Sequence, residues 1–420
     1  MLTTLPRKKQ PVMNLQTRPR NDNRILRYRP MHSLTDIDLK ISTWNILTML
    51  QPGKMAEIAA QLLKYKINVA GLQEIRFSGQ GEIKKKDFSL FYSGAKRPGQ
   101  FGTGFFIDKN TRNSILEFEA VNDRICYMRL KGKFQNMSFM VVHAPTEDAE
   151  EQIKDDFYDT LGNFCNRISR HDIIILLGDF NAKIGQESFT SDVCGRYSLH
   201  DATNENGMRI CNFAASMGLW ISSVSFPHKN IHKQTWKIPG STNANQIDHV
   251  LIDKRHATSI IDVRSFRGAN CDSDHFLVVA KLRQRISKVI NKNAFRRTIW
   301  DTEKIVENLE LRASYQSSMA TKLNSWQYSD DEPVSENWSK LKNAVTETAE
   351  RIIGKKITSN NDWYDQECAI VNEIKNQART KYLERPTRSN LLRYHEKRKN
   401  AKQILKRKKK NEIETANRTN

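Results

Sequence analysis

The sequence predicts an α/β fold in which mixed β-sheets pack face to face, with helices on the outside. Residues 173–177 form a continuous apolar run without helical rhythm, which is typical of a strand buried on both faces. Residues 39–74 read as strand, helix and strand, the pattern of a βαβ unit. Residues 114–130 read instead as two antiparallel strands joined by a polar turn. Because both kinds of connection occur in one segment rich in strands, the sheets are predicted to be mixed.

The βαβ unit begins with alternating apolar residues at 39–43 and ends its first strand at Trp44 and Asn45. Residues 55–63 then place apolar side chains three and four positions apart, which predicts a surface helix. Residues 68–74 form a second buried strand that ends in an acid, Glu74. The unit therefore delivers an amide and a carboxylate to strand ends.

The rest of the body is predicted to be mainly strands. Five further short strands are predicted between the βαβ unit and the buried strand 173–177. Their ranges are 88–92, 103–107, 114–118, 124–130 and 138–143, the last ending in His143. A helix follows the acidic residues 147–151, and a second helix is closed by Gly218. Later strands are predicted at 219–222, at 234–236 paired with 246–252, at 258–264 continuing that sheet, and at 276–282.

Composition changes divide the 420-residue chain into three parts. Residues 1–37 are predicted to be a disordered basic arm, and residues 38–286 to be the α/β domain. Residues 287–420 are predicted to be a helical, basic and partly disordered extension that ends in a run of lysines. The net charge of +21 indicates a polyanionic partner, first of all nucleic acid. A charged tail without any partner is the alternative.

Several protein classes are excluded by the sequence. No segment has the length and apolarity of a membrane span, and the N-terminus lacks the apolar core of a secretory signal. The six cysteines are scattered without zinc-type spacing, as expected of reduced thiols. We therefore expect a nuclear or cytoplasmic protein that is neither secreted nor bound to a membrane. Oligomeric state is not predicted.

Polar side chains recur where the predicted strands end. They are Asn45, Glu74, His143, Asp179 with Asn181, and Asp274 with His275, while Asp248 lies inside a strand. Repeated acids, amides and histidines at strand ends predict one shared surface at the edge of the sheets. Taken singly, each residue could be a turn former or a hydrogen-bonded polar group of the core.

The order of the short motifs WN, QE, GDFN, IDH and SDH resembles the endonuclease/exonuclease/phosphatase superfamily, which contains DNase I and the apurinic endonucleases. The resemblance covers residues 38–286. Within it the chain is most similar to the endonuclease domain of RTE-type non-LTR retrotransposons and to craniofacial development protein 2-like sequences. Four stretches carry this closer likeness, namely residues 81–94, 206–216, 246–256 and 271–285. The resemblance implies a four-layer sandwich of two mixed sheets with flanking helices, as in DNase I.

The resemblance also implies Mg²⁺-dependent cleavage of phosphodiesters, with Mn²⁺ as a second suitable ion. Glu74, Asn45 and Asp274 match the metal-binding positions of the family. Asp179 matches the residue that orients or deprotonates the attacking water, and Asn181 the residue that positions this water or the phosphate. His275 matches the histidine that contacts the scissile phosphate, and Asp248 the acid that fixes its tautomer. These residue types suit the chemistry, because a carboxylate can activate water and an imidazolium can stabilise negative charge.

Two positions depart from the family pattern. Many members carry tyrosine where this chain has His143, and DNase I-like relatives have histidine near that position. The resemblance therefore implies that His143 donates to the phosphate, with a different pH dependence from tyrosine. The acid or amide that often follows the WN asparagine by two residues is Leu47 here, which changes the ligand set available to a metal ion. The Glu, Asp and His that the mechanism needs are all present.

The predicted function is a DNA-nicking endonuclease derived from a retrotransposon. The alternatives are a nucleic-acid- or chromatin-binding protein that retains the fold without turnover, and a phosphatase for small phosphate esters. Residues 363–383 resemble the connector that precedes the reverse transcriptase in the retrotransposon relatives, but no polymerase motif follows. The basic tail is predicted either to bind DNA or RNA phosphates without sequence preference or to be a disordered remnant of the element.

Overall fold

The structure is a computed structural model that describes residues 39–239, 241, 243–287, 300, 303–325, 334–354 and 363–419. The N-terminal arm predicted for residues 1–37 lies outside the described residues. The predicted fold class is confirmed by two large mixed sheets with helices outside them.

The first sheet has seven strands in the order β14-β15-β1-β2-β5-β4-β3. Their bounds are β1 Leu39–Asn45, β2 Val69–Gln73, β3 Gln80–Lys84, β4 Phe88–Ser93, β5 Thr103–Asp108, β14 Ile260–Phe266 and β15 Leu277–Leu282. Strands β1 and β2 are parallel neighbours joined through the helix α1 (Lys54–Lys64), which confirms the predicted βαβ unit.

The second sheet has six strands in the order β10-β13-β9-β8-β7-β6. Their bounds are β6 Ile115–Ala120, β7 Ile125–Leu130, β8 Met137–His143, β9 Ile173–Asp179, β10 Leu219–Ile221 and β13 Asp248–Asp253. The antiparallel pair β6–β7 and its polar turn were predicted, and both are present. The helices α2 (Glu151–Arg167) and α3 (Glu205–Met217) pack on the outer face of this sheet.

The two sheets pack directly against each other. Ile175 and Leu177 of β9 lie in the core between the sheets, whereas Leu176 faces the core beneath α2 and α3. Strand β9 is therefore buried on both faces, as its unbroken apolar run predicts. Gly71 of β2 permits the close approach, because a Cβ atom there would lie 2.7 Å from the side chain of Val141 on the opposite sheet.

One predicted strand pairing is wrong. Residues 234–236 do not pair with 246–252; instead β11 (Trp236–Lys237) pairs with β12 (Ala244–Asn245) in a small hairpin. Strand β13 pairs with β9 on one side and with β10 on the other, so both of its edges are occupied. The Thr235 hydroxyl accepts the amides of Ile247 and Asp248, which fixes the hairpin against the start of β13.

Two further expectations need correction. Residues 258–264 do not continue the sheet of β13, because after a short 3₁₀ helix at Lys254–Ser259 the chain crosses into the seven-stranded sheet as β14. Strand β3 was not predicted, since it is an edge strand whose residues are exposed or half-buried and carry no apolar alternation.

The predicted helical C-terminal extension is confirmed for its described residues. It contains α4 (Glu303–Glu307), α5 (Leu309–Asn324), α6 (Val334–Ile352), α7 (Gln366–Glu384) and α8 (Arg388–Thr419). Helices α4 and α5 are separated at Asn308, whose side chain accepts the amides of Glu310 and Leu311 and so begins α5. Helices α7 and α8 form a hairpin that packs beside α1.

Candidate active site

Three neighbouring strands of the six-stranded sheet bring His143, Asp179 and Asp248 side by side. His143 is the register partner of Asp179 across the parallel pair β8–β9, and Asp248 is its partner across the antiparallel pair β9–β13. The ends of β8 and β9 coincide with the beginning of β13. Three residues that are remote in sequence therefore share one edge of the sheet, called the rim below.

The seven-stranded sheet contributes Asn45 and Glu74 to the same rim. Asn45 ends β1 beside Gln73 of β2, and Glu74 follows with a left-handed backbone, at φ 57°. The Asn45 amide nitrogen Nδ2 donates to Glu74 Oε1 at 3.0 Å and to Asp179 Oδ2 at 3.0 Å. Asn45 thus connects the two sheets through one buried side chain.

His275 completes the group from the start of the last strand segment. Its Nδ1 lies 3.0 Å from Asp248 Oδ2, and its Nε2 lies 3.7 Å from Asp179 Oδ2. Since a carboxylate can only accept, Nδ1–H donates to Asp248, which leaves Nε2 on the side of Asp179. All three side chains are buried.

Burial and the two carboxylates act in opposite directions on the pKa of His275. Burial alone would lower this pKa, but Asp248 and then Asp179 raise it to about 9. The pKa of Asp179 is also raised, by burial and by the neighbouring Asp248 carboxylate, while His275 opposes the increase. At neutral pH the arrangement therefore holds an imidazolium beside a carboxylate whose basicity is increased.

Glu74 remains ionised despite its burial. Burial would raise its pKa, but hydrogen bonds from Asn45 and Arg76 outweigh this effect and lower it. The Arg76 guanidinium lies 2.6 Å from Glu74 Oε2. The Arg76 guanidinium therefore already compensates part of the charge of Glu74.

His143 and Asn181 flank Asp179. Burial lowers the pKa of His143, so its imidazole is neutral, and its Nδ1 is buried without a hydrogen-bond partner among the described residues. Asn181 has a left-handed backbone, at φ 50°. Its backbone amide donates to Asp179 Oδ1 at 3.0 Å, and its side-chain Nδ2 donates to the Ala144 carbonyl at 2.9 Å.

Asp274 lies next to His275 and accepts a hydrogen bond from Trp236 Nε1 at Oδ2, at 3.0 Å. Its other oxygen, Oδ1, is buried and has no partner among the described residues, as is also true of Asp248 Oδ1. Buried carboxylate oxygens without partners are unusual in proteins and are commonly explained by an ion or water.

The donor set fits a hard divalent cation. Carboxylate and amide oxygens are the ligands that Mg²⁺ uses in proteins, and Glu74, Asn45 and Asp274 supply them. Among the described residues, the acids and histidine whose ligand atoms lie within 4.8 Å of one another are Asp179, Asp248 and His275. Glu74 and Asp274 lie outside that tight group. Leu47 offers no ligand; its left-handed backbone donates its amide to Asn45 Oδ1 at 3.0 Å.

Three further residues at the site were not singled out by sequence reasoning. Arg76 pairs with Glu74, and Trp236 holds Asp274. Arg124 donates to the His143 carbonyl at 3.1 Å and lies 3.9 Å above the Phe101 ring. The sequence placed Arg124 at a strand start after a turn, so only its charge could have suggested a role.

The fold and the site together define a class of protein. The sequence profile of the Endonuclease/Exonuclease/phosphatase family matches residues 42–275, more than half of the chain. The chain belongs to this family, and the predicted resemblance is confirmed.

Among curated proteins, the chain is 31% identical over 252 residues to craniofacial development protein 2 of Bos taurus, covering 60% of this chain and 42% of that protein. The protein of the same name in Tragulus javanicus is also 31% identical, with 43% of its length covered. The chain therefore spans less than half the length of these relatives.

Similar solved structures include the endonuclease domain of TRAS1, a telomere-specific non-LTR retrotransposon, with 14% identity, 58% of this chain and 98% of that chain covered, and a TM-score of 0.43. The catalytic domain of Xenopus laevis APE2 is 17% identical over 60% of this chain and 94% of that chain, with a TM-score of 0.48. Within the described part of the chain, no helix is both long and apolar enough to span a membrane.

Proposed function

We propose that this protein is a Mg²⁺-dependent phosphodiesterase that nicks DNA, that Mn²⁺ can replace Mg²⁺, and that the chain derives from a non-LTR retrotransposon. The observation that carries the proposal is the continuous chain of contacts from the half-buried Glu74 through the buried Asn45 and Asp179 to His275. It joins an ionised carboxylate, a basic carboxylate and an imidazolium at one rim. A DNA substrate implies that the protein acts in the nucleus.

Asp179 is proposed to orient and deprotonate the attacking water. Its raised pKa makes the carboxylate a stronger base than an exposed aspartate, which favours proton transfer from water. The Asn45 side chain and the Asn181 amide hold one oxygen each. Asp179 is therefore fixed in orientation while it acts. Asn181 is proposed to position the water or the phosphate from the adjacent turn.

His275 is proposed to stabilise the negative charge that develops on the phosphate. Asp248 holds its Nδ1 and favours the imidazolium, so Nε2–H is available as a charged donor. His143, which is neutral, is proposed as a second donor to the phosphate. The proton that Asp179 accepts stays beside His275, whose Nε2 lies 3.7 Å from Asp179 Oδ2.

Glu74, Asn45 and Asp274 would hold the metal ion. When bound, the ion neutralises charge on the phosphate and on the leaving oxygen. Arg76 already compensates the charge of Glu74 and would have to give way in part to a ligated cation. The hydrogen bond from Trp236 fixes one oxygen of Asp274 and leaves Oδ1 for a ligand.

The surface that we propose for the nucleic acid includes one face of α8. His395, Lys399, Lys402, Lys406 and Lys410 follow each other at intervals of three or four residues and are exposed. They therefore form one stripe, called the basic stripe below. Such a stripe suits the regularly spaced charges of a phosphate backbone and gives no sequence preference. DNA is the proposed partner, and the same stripe can take RNA.

We predict that replacing Lys399, Lys402 and Lys406 with Gln weakens DNA binding and lowers its salt dependence. Each lost phosphate contact reduces the slope of log affinity against log salt by about 0.9, so three lost contacts lower it by about 2.7. The measurement is a fluorescence anisotropy titration of a labelled duplex at several salt concentrations, with single-stranded RNA as competitor.

Lys64, Arg170 and Lys254 serve as the matched control for this prediction. All three are exposed: Lys64 is the last residue of α1, Arg170 precedes β9, and Lys254 follows β13. They therefore lie at the edge of the sheets opposite the rim. Their replacement with Gln removes the same charge but should leave the slope nearly unchanged. Equal slopes for the two triple variants would show that the basic stripe does not contact the backbone.

The proposed activity is tested with supercoiled plasmid, Mg²⁺ or EDTA, and the full chain. We expect open circular product with Mg²⁺, none with EDTA, and no release of free phosphate from inositol phosphates. Salt-sensitive DNA binding without any cleavage would favour the alternative of a binding protein that has lost turnover. Release of phosphate without nicking would favour the alternative of a phosphatase for small phosphate esters.

A further inference from the structure

The α7–α8 hairpin is attached to the loop of residues 267–276, which joins β14 to β15 and carries Asp274 and His275. This segment is called the catalytic loop below. Arg379 of α7 donates to the Ala269 carbonyl at 2.6 Å, and Asn270 donates to the side chain of Asn376 at 2.9 Å. Both Asn270 and Asn376 are buried. The start of the loop is therefore held by α7.

Asp272 is the central contact between the loop and the hairpin. Its Oδ1 accepts from the Tyr394 hydroxyl at 3.1 Å, and its Oδ2 lies 3.2 Å from Arg398 Nε and 3.6 Å from Lys375 Nζ. The Asp272 side chain is only 7% exposed. A buried carboxylate needs such partners, because an unpaired buried charge is strongly unfavourable.

Lys375 joins this contact to the helix behind the rim. Its ammonium group also pairs with Glu57 in the first turn of α1, and both side chains are buried. Leu405 of α8 packs against Gly53, which directly precedes α1. The hairpin thus contacts the chain that leaves β1 as well as the chain that enters β15.

A short path leads from Asp272 to the reacting groups. Asp272 has a left-handed backbone, at φ 58°, and its amide donates to Asn270 Oδ1 at 3.1 Å. The next residue, Ser273, donates from Oγ to the Asn45 carbonyl at 2.7 Å and accepts the His275 amide at 3.1 Å. Fixing Asp272 therefore fixes the backbone of both Asn45 and His275.

We propose that Tyr394, Arg398 and Lys375 are positioning residues for the catalytic loop, so that the C-terminal hairpin is an integral part of the active site. The inference rests on the proposed function, for it concerns the same reacting groups. It goes beyond that function in making the hairpin more than a nucleic-acid-binding tail. In this role Tyr394, Arg398 and Lys375 act through Asp272 and do not touch the substrate, in contrast to the basic stripe of α8.

The test compares Arg398→Met with Arg393→Met in the full chain. Arg393 is exposed on the same helix and lies outside the basic stripe, so its loss removes the same charge without touching Asp272. Arg398→Met should lower kcat for plasmid nicking roughly 10- to 100-fold, since small misplacements of catalytic groups have effects of this size. KM should change less than about twofold, because Arg398 is proposed not to contact the substrate. Arg398→Lys should restore part of kcat, and Tyr394→Phe should reduce it less than Arg398→Met.

A second readout does not depend on activity. Hydrogen exchange at the amides of residues 271–275 should be faster in Arg398→Met than in Arg393→Met or the unchanged chain. Equal exchange in the three proteins would overturn the inference, and so would faster exchange with an unchanged kcat. If the unchanged chain does not nick DNA, the proposed function fails, and the exchange comparison alone then decides whether the hairpin holds the loop.

Discussion

The Asp179→Asn variant is expected to lose ~10²–10⁴ of the nicking rate, the range that is typical when a positioned general base is removed. The amide has nearly the same shape as the carboxylate but cannot accept a proton from water. Asn45 and the Asn181 backbone amide donate to different oxygens of Asp179, and the one oxygen of the Asn side chain retains one of these two hydrogen bonds. The fold and the affinity for DNA should therefore be preserved. Single-turnover nicking, together with a binding titration, measures both quantities.

Asp192→Asn is the control for this variant. Asp192 is an exposed acid whose carbonyl accepts from Lys254, at the edge of the sheets remote from the rim. It loses the same charge and should nick at the unchanged rate. Equal rates for Asp179→Asn and the unchanged chain would remove the basis of the proposed mechanism.

The second large effect is expected for His275→Gln, again ~10²–10⁴ in rate, because a charged donor aimed at a developing oxyanion is lost. The Gln side chain keeps a hydrogen-bonding group but not the positive charge. Binding of DNA should weaken much less than kcat falls, since charge develops on the phosphate mainly in the transition state. Equal losses in DNA affinity and in rate would place His275 in substrate binding alone.

The pH dependence separates the role of Asp248 from that of His275. The pKa of His275 is raised to about 9, so the imidazolium is present below this pH and is lost as pH rises through it. Asp248→Asn removes the strongest influence that raises this pKa. The decline of activity on the basic side should then move to lower pH. An unchanged decline of activity at high pH in Asp248→Asn would contradict the role assigned to Asp248.

The same shift affects stability. An unfolded histidine has a pKa of about 6.5, below the folded value of about 9. The stabilisation from the His275 charge is thus fully present below the unfolded pKa and is lost as pH rises towards 9.

The fold was predictable where residues signal their environment locally. The apolar run of β9 and the strand, helix and strand of residues 39–74 required only burial and periodicity. The two pairing errors concern β11 and β14, whose partners are chosen by tertiary contacts. Thr235 accepts the amides at the start of β13. Strand β14 pairs with β15, which follows it after the loop of residues 267–276 and also pairs with β1. Neither choice is visible in local composition.

The predicted site residues lie along one rim because parallel neighbours end together and because the antiparallel strands β13 and β15 begin where β9 and β1 end. Arg76, Arg124 and Trp236 were missed because their importance depends on distances to Glu74, His143 and Asp274 that only the folded chain defines. The contact between Asp272 and α8 joins residues more than a hundred positions apart. No sequence periodicity indicates such a pair, although each partner is an ordinary charged or polar residue.

The central proposal is that Glu74, which follows β2, and His275, which precedes β15 of the same sheet, serve one metal-dependent reaction. It is tested by titrating Mg²⁺ into the EDTA-treated full chain and following plasmid nicking in the unchanged protein and in Glu74→Gln. The unchanged protein should show saturable activation from no activity, and Glu74→Gln should need at least about tenfold more Mg²⁺, since loss of a metal ligand should cost no less than the ~10–100-fold typical of its outer-shell partners. Full nicking in EDTA, or the same Mg²⁺ requirement in both proteins, would contradict the proposal.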